Sequence, residues 1–183
     1  MNVIEKTNRN NGNPEPTAYA MPQAHGIAEG LVLPNIISNL DDDERLWVPQ
    51  SDQVHFKPVM LHATQGYFIN LLRVRRSGVL SVHHHTGPVH AFPIRGRWYY
   101  LEHDWVAEAG GYAFEPPGEI HTLFVPEDVD EMVTLFHATG GYIYLDAKGN
   151  AIGYEDVFTK IENCRKHYEQ VGLGADFVDQ FVR

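Results

Sequence analysis

The chain is poor in three things, and each scarcity excludes a class of protein. Its one cysteine, Cys164, leaves neither an intrachain disulfide framework nor a thiolate zinc site available. A lone thiol also agrees with a reducing compartment. No uninterrupted apolar stretch is long enough to span a bilayer. Residues 1–22 are polar and rich in Asn and Pro, without the apolar segment of a secretory signal. A cytoplasmic protein with no membrane partner is therefore expected. Basic residues are scarce too: 14 Lys and Arg face 24 Asp and Glu, a net charge of −10. Arg73, Arg75 and Arg76 form no continuous phosphate-tracking stripe, so nucleic acid is not an expected partner.

What is present describes an ordinary globular chain of 183 residues, 43% hydrophobic and 21% charged. Residues 1–29 carry Asn, Pro and Gly with little periodicity and are expected to form an arm, leaving 30–183 as one domain. The acidic run Asp41-Asp42-Asp43-Glu44 is expected as a solvated loop or helix start. Short apolar or alternating runs then follow at 45–48, 54–61, 67–75, 78–85, 89–94, 97–102, 111–115, 121–125 and 131–138. Gly- and Pro-rich breaks separate them, which predicts a mainly β sandwich or barrel. Residues 142–146 and 151–154 flank 147–150 as a hairpin. Beyond them Val157, Ile161, Cys164, Tyr168 and Val171 recur at helical spacing, predicting one C-terminal amphipathic helix that stops at Gly172.

Histidine carries the chemical signal. Four of the eleven, His83, His84, His85 and His90, fall within eight positions, and His121 follows the turn Pro116-Pro117-Gly118. Alternate residues of a strand share a face, so His83 and His85 project together while His84 turns away. Two imidazoles on one face, joined by a third, can form half of a coordination shell. Neutral imidazole suits iron, copper, nickel and zinc. The competing reading is a set of half-buried, hydrogen-bonded histidines; an expression tag is excluded because the cluster is internal and interrupted.

The spacing resembles the two motifs of the cupin superfamily. The second, G-x5-P-x-G-x2-H-x3-N, is matched by Gly110, Pro116, Gly118 and His121, with Val125 in place of the Asn. The first is matched by His83 and His85, with Gly78 and Gly96 each one residue closer than usual. His90 stands where the family has a glutamate. Within the superfamily, the run from His83 to His121 looks most like the C–C-cleaving dioxygenases typified by 2,4'-dihydroxyacetophenone dioxygenase. The residues that carry this are His83 to His90, Gly96 to Trp105 and Phe114 to Glu119.

The resemblance implies a double-stranded β-helix (jelly-roll) barrel and a mononuclear non-haem iron held by His83, His85 and His121, with zinc or another divalent ion as the alternative. It implies cleavage of a hydroxyketone with O2 to a carboxylic acid and formate. A diketone dioxygenase and a non-catalytic zinc-binding sensor domain are the alternatives. His90 is expected as a nearby base or fourth ligand. Glu102 is expected as a base if Trp98, Tyr100 and Glu102 share the inner face of their strand. Trp98, Tyr100, Trp105, Tyr112 and Phe114 could wall an aromatic substrate, or simply fill the core. His55, His62, His103 and His137 lack motif spacing and are expected to be structural or exposed. Glu115 and Glu119 are expected to cap or solvate the proline turn. Barrels of this kind pair through edge strands, so a homo-oligomer is expected.

Overall fold

The computed structural model describes residues 17–27 and 30–183. The arm expected over residues 1–29 thus lies mostly outside the described residues. Two compact units divide the chain, Met1–Val32 and Leu33–Arg183, and among the described residues the helices and strands all lie in the second.

Twelve strands and one α-helix build that unit. They are β1 (Val48–Ser51), β2 (Val54–His62), β3 (Tyr67–Val74), β4 (Gly78–His85), β5 (Val89–Arg95), β6 (Arg97–Tyr100), β7 (Ala107–Glu108), β8 (Ala113–Glu115), β9 (Ile120–Val125), β10 (Met132–Thr139), β11 (Gly141–Leu145), β12 (Ala151–Asp156) and α1 (Val157–Gln170). One sheet runs β1-β2-β3-β10-β5-β8 and the other β12-β11-β4-β9-β6-β7. Two antiparallel sheets with these crossovers make the jelly-roll barrel implied by the motifs. Glycine makes two of its tight corners. A Cβ on Gly96 would lie 2.6 Å from the Glu131 carbonyl oxygen, and one on Gly87 2.4 Å from that of Thr139.

Side chains from both sheets fill the barrel. At one end Trp98, Tyr100, Leu123, Val125 and Met132 pack together, and at the other Phe56, Leu61, Phe68, Val89 and Ala138 pack beneath Cys164 and Tyr168 of α1. The segment before β1 covers part of the outer face of the first sheet, with Leu40 and Trp47 lying on Leu71 and Val133. This corrects the reading of the acidic run as merely solvated. Asp42 pairs with Lys57 at 2.6 Å, Glu44 with Arg73 at 2.5 Å and Asp41 with Arg95 at 3.0 Å. Lys57 and Arg73 are buried, and a buried cation left unpaired would be strongly destabilising. The expected strand at 45–48 is also corrected. Asp43 caps a 3-10 turn at Glu44–Leu46, and the strand begins only at Val48.

The hairpin and the helix follow the sequence pattern closely. Asp156 caps α1 through a capping box, accepting from Thr159 N at 2.8 Å while the Thr159 hydroxyl accepts from Asp156 N at 2.9 Å. Val157, Cys164 and Tyr168 point inward as the spacing requires, but so does Lys160. A second 3-10 segment, Ala175–Phe181, was not foreseen. After it, Val182 bridges Leu61 and Arg183 N donates to the Leu61 carbonyl at 3.0 Å, so the chain covers this end of β2. Asp156→Ala should lower unfolding free energy by about 1 kcal/mol, the usual cost of a lost N-cap, measured by urea denaturation of the variant against the native chain.

Candidate metal centre

Pairing of β4 with β9 builds the site. His83 faces His121 directly across the ladder, and alternation along β4 brings His85 to the same inner face. The Pro116-Pro117-Gly118 turn starts β9 in that register. All three rings are buried. His83 Nε2 lies 3.1 Å from His85 Nε2 and 3.2 Å from His121 Nε2, so three nitrogen donors converge on one point.

Burial keeps the His83 and His121 rings uncharged. Desolvation, reinforced by the neighbouring imidazoles, holds His83 well below its ordinary value. Desolvation followed by the proximity of His85 and His103 pushes His121 down to about 3. Neutral imidazole is the form that binds metals. The outer nitrogens have their own neighbours. His83 Nδ1 lies 3.1 Å from Ser81 Oγ, and His121 Nδ1 lies 3.5 Å from Glu119 Oε2. Glu119 is in turn held at 2.6 Å by His103 Nε2. A carboxylate beside the outer nitrogen favours the tautomer that leaves the inner one free. Tyr100 lies flat on His121, with ring centroids 3.5 Å apart and planes 8° apart.

Glu115, placed by the β8–β5 ladder, completes the group. It is 1% exposed, and its Oε2 lies 2.9 Å from His85 Nε2 and 3.8 Å from His121 Nε2. Burial and then the Glu115 charge hold the Tyr100 phenol well above its usual value. Three imidazoles with a buried carboxylate beside them suit a cation, and His83, His85 and His121 form a group able to hold one divalent metal ion. The group opens onto a cavity of ≈ 60 Å³ between the sheets, whose wall includes Phe68, Leu72, Leu123 and Phe136.

A family model described as the ChrR cupin-like domain matches residues 38–143, more than half of the chain. The protein belongs to this cupin family. Its fold agrees with the solved structure of an RmlC-like cupin from Ralstonia eutropha JMP134, at 30% identity and a TM-score of 0.67, covering 69% of this chain and 83% of that one. It also resembles an acetylacetone dioxygenase from Acinetobacter johnsonii, at 15% identity and a TM-score of 0.61, over 80% of this chain and 97% of that one. No curated protein matches the sequence.

The structure brings His83, His85 and His121 of this cupin together and leaves His90 and Glu102 apart from them. Val89 and Ala91 point into the barrel, so alternation turns His90 outward. There its Nδ1 meets the Tyr112 hydroxyl at 2.8 Å and its ring stacks on His137. The expectation for Glu102 assumed that β6 continues to it, but the strand ends at Tyr100 and the chain turns. Glu102 then accepts from Thr122 N at 2.7 Å and from the Thr122 hydroxyl at 2.8 Å, in an exposed position. Of the expected aromatic wall, Tyr100 lines the cavity, Trp98 is core, and Tyr112 and Phe114 lie exposed outside. Sequence reasoning missed Glu115. Its one available signal was position within 113–115, where an inward Glu alternates with an exposed Phe114.

Replacing His83, His85 or His121 with alanine should abolish stoichiometric binding of a divalent ion, whereas His84→Ala should retain it; metal analysis of the purified variants reads this directly. In the chelator-treated protein, the unfolded chain protonates His121 near pH 6.5 while the folded chain does not until about 3. The unfolded state therefore binds more protons between those limits, and stability should fall as pH drops through that window. His121→Gln should flatten that part of the denaturation profile.

Proposed function

We propose that this cupin is a non-haem iron dioxygenase of the cytoplasm. It cleaves the bond between the carbonyl and hydroxymethyl carbons of a small α-hydroxyketone, such as 2,4'-dihydroxyacetophenone. The overall change, R–CO–CH2OH + O2 → R–COOH + HCOOH, balances without another oxidant. The observation that carries this reading is the meeting of three buried imidazoles and one buried carboxylate on a mostly apolar cavity.

A ferrous ion held by His83, His85 and His121 would supply Lewis acidity and the redox chemistry that O2 requires. The chain's own residues do the rest. Three imidazole ligands bring no negative charge of their own to the metal, which favours an anionic enediolate over its ketone. Glu115 takes the proton from the substrate's α-carbon or hydroxyl at Oε2, the carboxylate oxygen that faces the histidines, 2.9 Å from His85 Nε2. Tyr100 and the apolar wall exclude water from the reacting carbons. The same donor set suits a β-diketone, a substrate class in keeping with the fold shared with an acetylacetone dioxygenase.

The second reading is a zinc-binding sensor domain, favoured by the ChrR-like family model. Oxygen consumption separates the two. Iron-loaded protein should consume O2 on addition of a hydroxyketone and release one formate per O2, while zinc-loaded protein should not. Absence of uptake across hydroxyketones and β-diketones, with zinc held tightly, would instead support the sensor. Glu115→Gln should keep its iron and lose about 10²- to 10⁴-fold in turnover, the usual cost of removing a general base. Glu102→Gln and His90→Gln should turn over close to the native rate.

A further inference from the structure

The cavity that begins at the histidines has a second polar wall. Asn70 enters it from β3, on the sheet opposite β4 and β9, while Gln50 enters from β1, Tyr142 and Tyr144 from β11, and Lys160 from α1. Four of these five close on one another. Gln50 Nε2 donates to both tyrosine hydroxyls at 3.0 Å, and Lys160 Nζ donates to Gln50 Oε1 at 2.6 Å. Lys160 also pairs with Glu155, and the Tyr142 hydroxyl donates to Glu155 Oε2 at 3.3 Å. The buried ammonium is thereby neutralised, so this wall offers no free charge to an anion.

Asn70 is the exception. It is 3% exposed, lines the cavity, and its Oδ1 has no hydrogen-bond partner among the described residues. Its companions on the inner face of β3 are Phe68 and Leu72, and Phe136 lies opposite it on β10. None of these can donate. A buried amide in such surroundings is costly unless something that enters the cavity satisfies it.

We propose that Asn70 forms a subsite for a hydroxyl group of the ligand, on the sheet that faces the histidines across the cavity. A hydroxyl suits an amide in either orientation, because it donates to the carbonyl oxygen or accepts from the amino group. The apolar side chains that line the same cavity, among them Phe68, Leu72, Leu123 and Phe136, hold the rest of the ligand. As a statement about substrate, this rests on the dioxygenase reading and narrows it to hydroxyketones with a second hydroxyl. The subsite itself is testable without any ketone.

Phenol and toluene are the probes, since they differ in shape by little more than a hydroxyl for a methyl. Calorimetric titration into the full chain should show phenol binding at least about tenfold more tightly than toluene, because a buried polar group discriminates strongly against an analogue that leaves it unpaired. Asn70→Leu should level or reverse that preference, with metal content and circular dichroism unchanged. Asn70→Ala, which leaves space rather than adding bulk, should do the same. Equal binding of the two probes to the native chain would overturn the subsite, as would a phenol preference that survives in both variants. Hydroxyketone-dependent O2 uptake is scored separately. Phenol discrimination without ketone consumption keeps the subsite and removes the dioxygenase reading; ketone consumption without discrimination does the reverse.

Discussion

Holding three imidazoles out of water at one point is the constraint around which the rest of this molecule is arranged. Imidazole nitrogens packed this closely repel one another's protons, and burial removes the solvent that would stabilise their charge. His83 and His121 therefore stay neutral. Two adjacent antiparallel strands provide the rigidity for this. His83 and His121 are fixed by a single register pair, and His85 by the pleat of the same strand. Shifting either strand by one residue would turn its histidines out of the barrel.

Surrounding side chains answer the same constraint by different physical means. Tyr100 protects one face of His121 by stacking, and Glu119 sits beside its outer nitrogen. Glu115 brings negative charge to the inner side without reaching solvent. On the far side of the barrel, Lys57 and Arg73 are buried charges of opposite sign, and the acidic segment before β1 neutralises them. A strongly acidic chain thus uses part of its excess to hold one face of the barrel closed.

The barrel, the hairpin, the helix and the three histidines were legible in the sequence because each depends on a local period. Strand alternation, a Pro-Gly turn and helical spacing are properties of a few neighbouring residues. What was misread depends on where a strand stops or on which strands pair. Glu102 follows Tyr100 by two positions and should share its face, but the turn at residue 101 breaks the alternation. His90 occupies a motif position while its neighbour Val89 claims the interior. Glu115 reads as a turn residue until the β8–β5 ladder shows it facing inward. Lys160 looks misplaced on an apolar helical face, because its partners come from three other elements: Gln50, Tyr142 and Glu155.

That lysine gives α1 a meaning beyond covering the barrel. Glu155, which pairs with Lys160, immediately precedes Asp156, the residue that caps the helix. The first turn of α1 and the polar wall of the cavity are therefore one piece of structure, joined by a single peptide bond. Fraying of that turn would withdraw the ammonium and loosen the carboxylate together, and the hydroxyls of Tyr142 and Tyr144 would lose the amide that spaces them. The interior of this cupin takes its shape partly from how firmly a surface helix begins.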